Sequence, residues 1–197
     1  MSSILEGLMG QLEGSALEGL SRQLGADRKQ TQAGVAAALP MLLGALSRNS
    51  QDSSGAESLG AALDRDHDGS ILDNVGGFLG QGDTSVGAGI LKHVLGSKQN
   101  RVASGVSQTS GLDSASAAKM LALLAPVVLG SLGKAKRQGN MNSSALAGML
   151  GQERQDLETK APAEFGIMNK LLDADGDGDI DLGDLAKGAG LLGKLFG

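Results

Sequence analysis

The chain has 197 residues, a formal net charge of −5 and no Cys, Trp or Tyr. Because Cys is absent, disulfides, thiol catalysis, Cys-based zinc sites and iron–sulfur clusters are excluded. The acidic balance and the presence of only three Phe argue against a nucleic-acid binder, which needs a basic surface and aromatic stacking platforms. The length suits one domain or two small halves with a real core.

An internal repeat organises most of the chain. When the sequence is shifted by 86 residues, Asp27 aligns with Asp113 and Pro40 aligns with Pro126, together with a series of Leu, Ile, Gly, Ala and Ser identities. Repetition at a fixed offset indicates repeated structural units. We therefore predict two copies of one helical unit, over residues 1–86 and 87–151.

The apolar residues recur at spacings of three and four without strand-like alternation, which predicts an all-α multihelical bundle. In each unit a second helix ends at Gly25 or Gly111, and Asp27 or Asp113 begins a long helix. The Pro inside each long helix either kinks it or starts a new helix. The other helices are predicted near residues 3–10, 13–24, 54–63, 86–95, 98–109 and 142–150.

Glycine is unusually abundant, with 32 residues, and several lie inside the predicted helices. Gly costs about 1 kcal/mol relative to Ala in a helix interior, so its use there needs a reason. One interpretation is close helix packing, within or between subunits, at Gly7, Gly10, Gly14 and Gly19. The alternative is that these glycines mark loose termini and caps.

The first acidic segment, residues 64–73, lies in the last part of the first unit and resembles an EF-hand calcium loop. It matches positions 1, 3, 5, 6, 7 and 8 of the loop but has Leu72 at position 9 and Val75 at position 12. The alternative interpretation is a polar turn followed by a helix N-cap at Asp73. His67 occupies a position that normally faces solvent. The candidate calcium ligands here are Asp64, Asp66, Asp68, Ser70 and Asp73.

The second acidic segment lies near the C-terminus and has a more complete EF-hand pattern. It follows a polar stretch, residues 152–164, that we interpret as a linker, and residues 165–197 are predicted to form a helix, a calcium loop and a second helix. Alternate carboxylates suit calcium, which takes six to eight oxygen ligands, and Gly178 permits the sharp turn. The candidate ligands are Asp173, Asp175, Asp177, Asp179, Asp181 and Asp184.

Two groups of short motifs resemble a known family. They are the segment Leu91–Gln99 with Gly111-Leu-Asp113 and Leu124–Gly130, and the phrase Asp66–Asp73. Over about residues 1–150 they resemble the bacterial domain of unknown function 937, related to YidB-like proteins. The resemblance implies a bacterial, all-helical protein without an established activity, and it supplies no catalytic residue. The C-terminal loop resembles dockerin-type calcium loops, which end in Asp.

The leading functional hypothesis is a non-enzymatic helical protein that binds Ca²⁺ structurally and associates with itself or with a protein partner. The alternative is a membrane-surface protein that uses the apolar segment Leu185–Phe196 as an interfacial helix. A Mg²⁺-dependent enzyme is the third hypothesis, which a ligand-saturated calcium pattern disfavours.

The sequence also predicts a soluble, cytoplasmic protein. Its first residues lack the basic region of a signal peptide. The apolar stretches Val35–Leu46 and Met120–Gly133 each contain Pro and are shorter than the roughly 20 residues that span a bilayer.

Overall fold

A computed structural model describes residues 3–160 of the chain, and these residues form helices and connecting segments without a strand. The predicted all-α class is therefore confirmed for the described part. Two short 3₁₀ helices, Ser70–Asn74 and Gly96–Lys98, lie between longer elements. The α-helices in chain order are α1 (Ile4–Gln11), α2 (Ser15–Leu24), α3 (Arg28–Asn49), α4 (Ser53–Asp66), α5 (Val75–Gln81), α6 (Ser85–Val94), α7 (Gln99–Ser110), α8 (Ser114–Gln138) and α9 (Ser143–Lys160).

The caps predicted around the long helices are present. Asp27 and Gln30 form a capping box at the start of α3, and the side chain of Asp113 accepts hydrogen bonds from two backbone N–H groups at the start of α8. Gly25 and Gly111 end α2 and α7 in the left-handed conformation, with φ of 62° and 74°. These interactions are local because each satisfies backbone groups within a few residues of itself.

Helix α8 forms the centre of the described fold. It contacts α1, α2, α3, α4, α6 and α7, and every residue from Met120 to Gly130 is buried. Both α3 and α8 continue through their prolines, Pro40 and Pro126, so neither proline begins a new helix. In α8 the carbonyl oxygen of Ala122 loses the helical N–H partner that Pro126 cannot supply.

One helix in the described part, α8, is long and apolar enough to cross a membrane by length and composition alone. It is longer than the apolar stretch expected from the sequence because polar residues at both ends continue the same helix. Within its most apolar window, 72% is buried inside the fold. Burial of that extent is also what a core helix of a water-soluble protein shows.

Three boundaries differ from the expectations. Helix α4 continues to Asp66 and therefore contains two of the candidate calcium ligands. Helix α5 follows the first acidic segment, as the alternative interpretation of that segment expects, but its N-cap is Asn74 rather than Asp73. Helix α9 runs to Lys160, so residues 152–160 of the predicted linker are helical.

The chain divides into two compact units, Met1–Arg154 and Gln155–Gly197. Only the first of these units is described almost completely. The predicted helix–loop–helix over residues 165–197 lies outside the described residues.

The glycines inside helices serve different purposes. Gly19 of α2 packs at close range against the backbone of Gly76 and Gly80 in α5, as the close-packing interpretation expects. Gly7, Gly10 and Gly14 have open space where a side chain would lie. Gly14 instead precedes α2 with a φ of 58°, a conformation that Gly adopts easily.

Candidate functional site

The first acidic segment forms a sharp turn between α4 and α5. Asp64 and Asp66 belong to the last turn of α4, and Gly69 has a φ of 94°, which explains why Gly occupies this position. The Asp68 carboxylate accepts a hydrogen bond from the Ser70 backbone N–H at 3.0 Å. This bond is the main cause of the lowered pKa of Asp68. The turn therefore has the local chemistry that its Asp and Gly residues predict.

The carboxylates of this segment are engaged with separate cations. Lys136 donates to both oxygens of Asp64, at 2.6 and 2.8 Å, and its own side chain is only 12% exposed. Arg65 forms an ion pair with Asp66 at 2.8 Å, and this hydrogen bond lowers the pKa of Asp66. Three carboxylates with three different partnerships do not form one coordination shell.

Residues 3–160 contain no group of three or more His, Asp or Glu side chains placed to hold a metal ion. Asp68 lies 3.6 Å from a guanidinium nitrogen of Arg137, whereas Ser70 and Asp73 are exposed in the 3₁₀ helix. Calcium binding at this segment stays a prediction. It requires Asp64 and Asp68 to exchange their contacts with Lys136 and Arg137 for contacts with the ion.

The same segment packs against α8 at two of its glycines. A Cβ on Gly133 would collide with the carbonyl oxygen of His67, and a Cβ on Gly130 would collide with the Ile71 side chain. Gly69 itself is buried against α8, where a Cβ would stand 2.8 Å from the Cβ of Lys134. Gly130 and Gly133 are one helical turn apart, and their lack of side chains leaves a depression on the surface of α8. The backbone of the acidic segment packs into this depression.

The two histidines have different surroundings. His67 is partly buried beside α8, and this burial lowers its pKa despite the neighbouring charge of Asp66. His93 is exposed on α6. Neither belongs to a metal-ligand group in the described part of the chain.

The stronger candidate site is not among the described residues. Asp173, Asp175, Asp177, Asp179, Asp181 and Asp184 all lie beyond residue 160, so the geometry of the described fold does not bear on them.

Sequence reasoning missed the most deeply buried carboxylate of the described fold. Glu153 of α9 is 7% exposed, and its two oxygens accept hydrogen bonds from the backbone N–H groups of Ile4 and Leu5, at 3.1 and 2.9 Å. These are the first N–H groups of α1, which have no partner inside their own helix. Glu153 lies in a stretch whose polarity indicated exposure, and no local signal connects it with α1.

Lys119 of α8 was also missed. Its ammonium group donates to the backbone carbonyl of Gln23 at 2.7 Å and to the Gln23 side chain at 3.1 Å. A cation at the C-terminal end of α2 is favourable because the last carbonyls of a helix carry partial negative charge. Lys119 therefore connects the start of α8 to the end of α2.

The chain was compared with protein-family models, curated proteins and solved structures. A family model described as "Bacterial protein of unknown function (DUF937)" matches residues 6–135. No curated protein and no solved structure matches the chain. The matched region begins in α1 and ends within α8, so it includes the first acidic segment and leaves out Glu153 and the C-terminal acidic segment.

Proposed function

This chain belongs to the bacterial DUF937 family of unknown function, and we propose that it is a non-enzymatic helical protein that acts by binding. It holds Ca²⁺ in a structural site between Asp173 and Asp184, and it associates with copies of itself or with a protein partner. The observation that carries the calcium part is the spacing of six Asp residues within twelve positions, with Gly178 at the turn position.

The charge distribution supports a structural role for the ion. Residues 161–197 contain seven acidic and three basic side chains, and six of the acidic ones are Asp within one short loop. Carboxylates held close together repel one another unless a cation lies between them. Calcium that binds only the folded loop stabilises it, by about 2.7 kcal/mol when free calcium is one hundred times Kd.

The same ligand pattern supports a non-enzymatic role. A loop that offers six carboxylates can saturate calcium with protein ligands, whereas catalytic metal sites keep a position open for water or substrate. Asp184 stands where EF-hand loops usually have a bidentate Glu. Its shorter side chain alters the affinity and the choice between calcium and magnesium.

Calcium titration by calorimetry, on the full chain stripped of metal, tests this proposal. We expect one bound ion per chain and a higher melting temperature in calcium than in chelator, measured by far-UV circular dichroism. The variant that combines Asp173→Ala, Asp175→Ala and Asp177→Ala should lose that ion and the calcium-dependent rise.

The matched control changes the three carboxylates of the first acidic segment. A variant with Asp64→Asn, Asp66→Asn and Asp68→Asn should keep the strong site. A second ion that disappears only in this control would assign calcium to the first segment as well. Unchanged binding in the Asp173 variant, or no binding at millimolar calcium, would overturn the proposed site.

A further inference from the structure

The compact unit Met1–Arg154 consists of two halves that pack against each other. We call residues 3–81, with α1 to α5, the N-half, and residues 85–154, from α6 into α9, the C-half. Helix α3 of the N-half packs on α6, α7 and α8 of the C-half, and α1, α2 and α4 also contact α8. Polar contacts cross between the halves as well: Glu153 to Ile4 and Leu5, Asn49 to Val94, Lys119 to Gln23, and Lys136 to Asp64.

Two of the crossing hydrogen bonds are donated from equivalent positions of the two halves. Gln30, in the first turn of α3, donates to the carbonyl oxygen of Gly111 at the end of α7, at 3.0 Å. Ser116, in the first turn of α8, donates to the carbonyl oxygen of Leu24 at the end of α2, at 3.2 Å. Gln30 and Ser116 are equivalent positions under the offset of 86 residues. Each long helix thus uses its first turn to cap a helix of the other half.

A third contact joins a position to its own equivalent. Gly34 of α3 faces Met120 of α8, and a Cβ on Gly34 would stand 2.6 Å from the Cε of Met120. These two positions are also 86 residues apart. Contact between equivalent positions is what a two-fold axis produces in a symmetric dimer, where residue i meets j and j meets i. The halves therefore meet as two subunits of a dimer would.

The connection between the halves is short. Only Gly82, Asp83 and Thr84 separate the end of α5 from the start of α6. A short connection between two halves with a complementary surface is the arrangement from which copies exchange halves at low cost. Outside this surface the described residues offer little apolar area for another interface, since Val86 is the one exposed large hydrophobic residue among them.

We infer that this protein associates with a second copy of itself by exchange of halves, so that the N-half of each copy packs on the C-half of the other. The inference rests on the self-association in the proposed function and names the surface that performs it. Both copies then keep all the contacts between halves, including the Gln30 and Ser116 caps, and only the path of residues 82–84 changes.

Hinge variants of the full chain test the inference in sedimentation-velocity experiments over a range of concentrations. Deletion of Asp83 and Thr84 should lower the dimer dissociation constant by about tenfold or more, because the shortened connection no longer lets one chain close on itself. Insertion of about ten Gly and Ser residues after Asp83 should give monomers, since a flexible linker of that length spans the ends easily. Circular dichroism confirms that each variant is helical.

Subunit exchange supplies a second measurement on the wild type. Dimers that carry two different tags should mix no faster than the chain unfolds globally, because exchange of halves breaks the whole contact between them. The exchange of halves would be overturned if the dimer fraction were the same in all hinge variants, or if tagged subunits mixed within seconds. Either result would leave self-association intact. A wild type that stays monomeric at every concentration would overturn both.

Discussion

At the residue scale, the described fold depends on places where only glycine fits. Gly87 of α6 lies directly against the carbonyl oxygen of Ala122 in α8. Pro126, four residues further along α8, lacks the N–H that would bond this oxygen in a regular helix. The backbone of Gly87 therefore covers an acceptor that α8 does not satisfy itself. A side chain at position 87 would separate α6 from α8.

A pair of substitutions in α6 tests this packing. Gly87→Ala should reduce the free energy of unfolding by about 1–3 kcal/mol, because its methyl group meets backbone that cannot move aside cheaply. Gly89→Ala, two residues away, is exposed with open space around it and should raise that energy by up to about 1 kcal/mol through helix propensity. Urea unfolding followed by circular dichroism measures both. Equal effects would contradict the assigned contact.

The buried carboxylate of Glu153 gives a second prediction at this scale. Glu153→Ala leaves the N–H groups of Ile4 and Leu5 without their acceptor and should cost about 1–3 kcal/mol of unfolding free energy. Glu57→Ala, at an exposed position of α4, should stay within about 0.5 kcal/mol of the wild type. Faster amide hydrogen exchange confined to α1 in the Glu153 variant would identify the affected helix. Similar unfolding energies for the two variants would be the opposing result.

At the element scale, helix beginnings and turns follow local chemistry, and their positions in space follow packing. Asp113 begins α8 by accepting two backbone N–H bonds, and Asn74 begins α5 in the same way with one. The acidic segment makes its own turn at Gly69, yet its position is determined by Gly130 and Gly133 of α8. An element can therefore form from local signals while its neighbours decide what its side chains meet.

The cap at Asp113 predicts a dependence on pH. Hydrogen bonds from Ser116 lower the pKa of Asp113 from 3.8 in the folded chain. Because the pKa is lower in the folded chain, the charged cap stabilises α8 at pH values above 3.8, the pKa in the unfolded chain. This stabilisation is lost as the pH falls through the pKa of the folded chain. Asp113→Asn keeps a capping oxygen without charge, so it should be less stable than the wild type at pH 7.

The difference in melting temperature between Asp113→Asn and the wild type should become smaller as the pH is lowered. Thermal melts followed by circular dichroism at steps from pH 7 to pH 2 give the difference in melting temperature. We expect a constant difference above about pH 5, and its loss below pH 3.8. A difference that stays the same through this range would show that the charge of Asp113 has no role in the cap.

At the scale of the whole molecule, the two halves of the described unit form one core around α8. Each long helix uses its first turn to bond the end of a helix in the other half, through Gln30 to Gly111 and Ser116 to Leu24. Deletion of either half would expose the residues of α3 or α8 that are buried now. The calcium titration and the hinge variants test the two parts of the proposed function at this scale.

Much of the fold was predictable because it depends on short-range chemistry. The helical class, the caps at Asp27 and Asp113 and the ends at Gly25 and Gly111 each come from residues within one or two turns. The candidate site was less predictable. The spacing of Asp64, Asp66 and Asp68 is correct for a calcium loop, and Gly69 makes the expected turn. However, Asp64 and Asp66 lie in α4, where they form ion pairs with different cations, Lys136 and Arg65.

The sequence by itself determined the helical class, the caps, the turn at Gly69 and membership of a family, because these depend on neighbouring residues or on the order of short motifs. Only the tertiary structure decided that Lys136 bonds Asp64 across 72 positions and that Glu153 bonds Leu5 across 148. It also decided that α8 continues through Pro126 as the central helix. Such pairings depend on how helices cross in the folded chain. The sequence around a carboxylate does not identify the distant cation or N–H group that packing brings next to it.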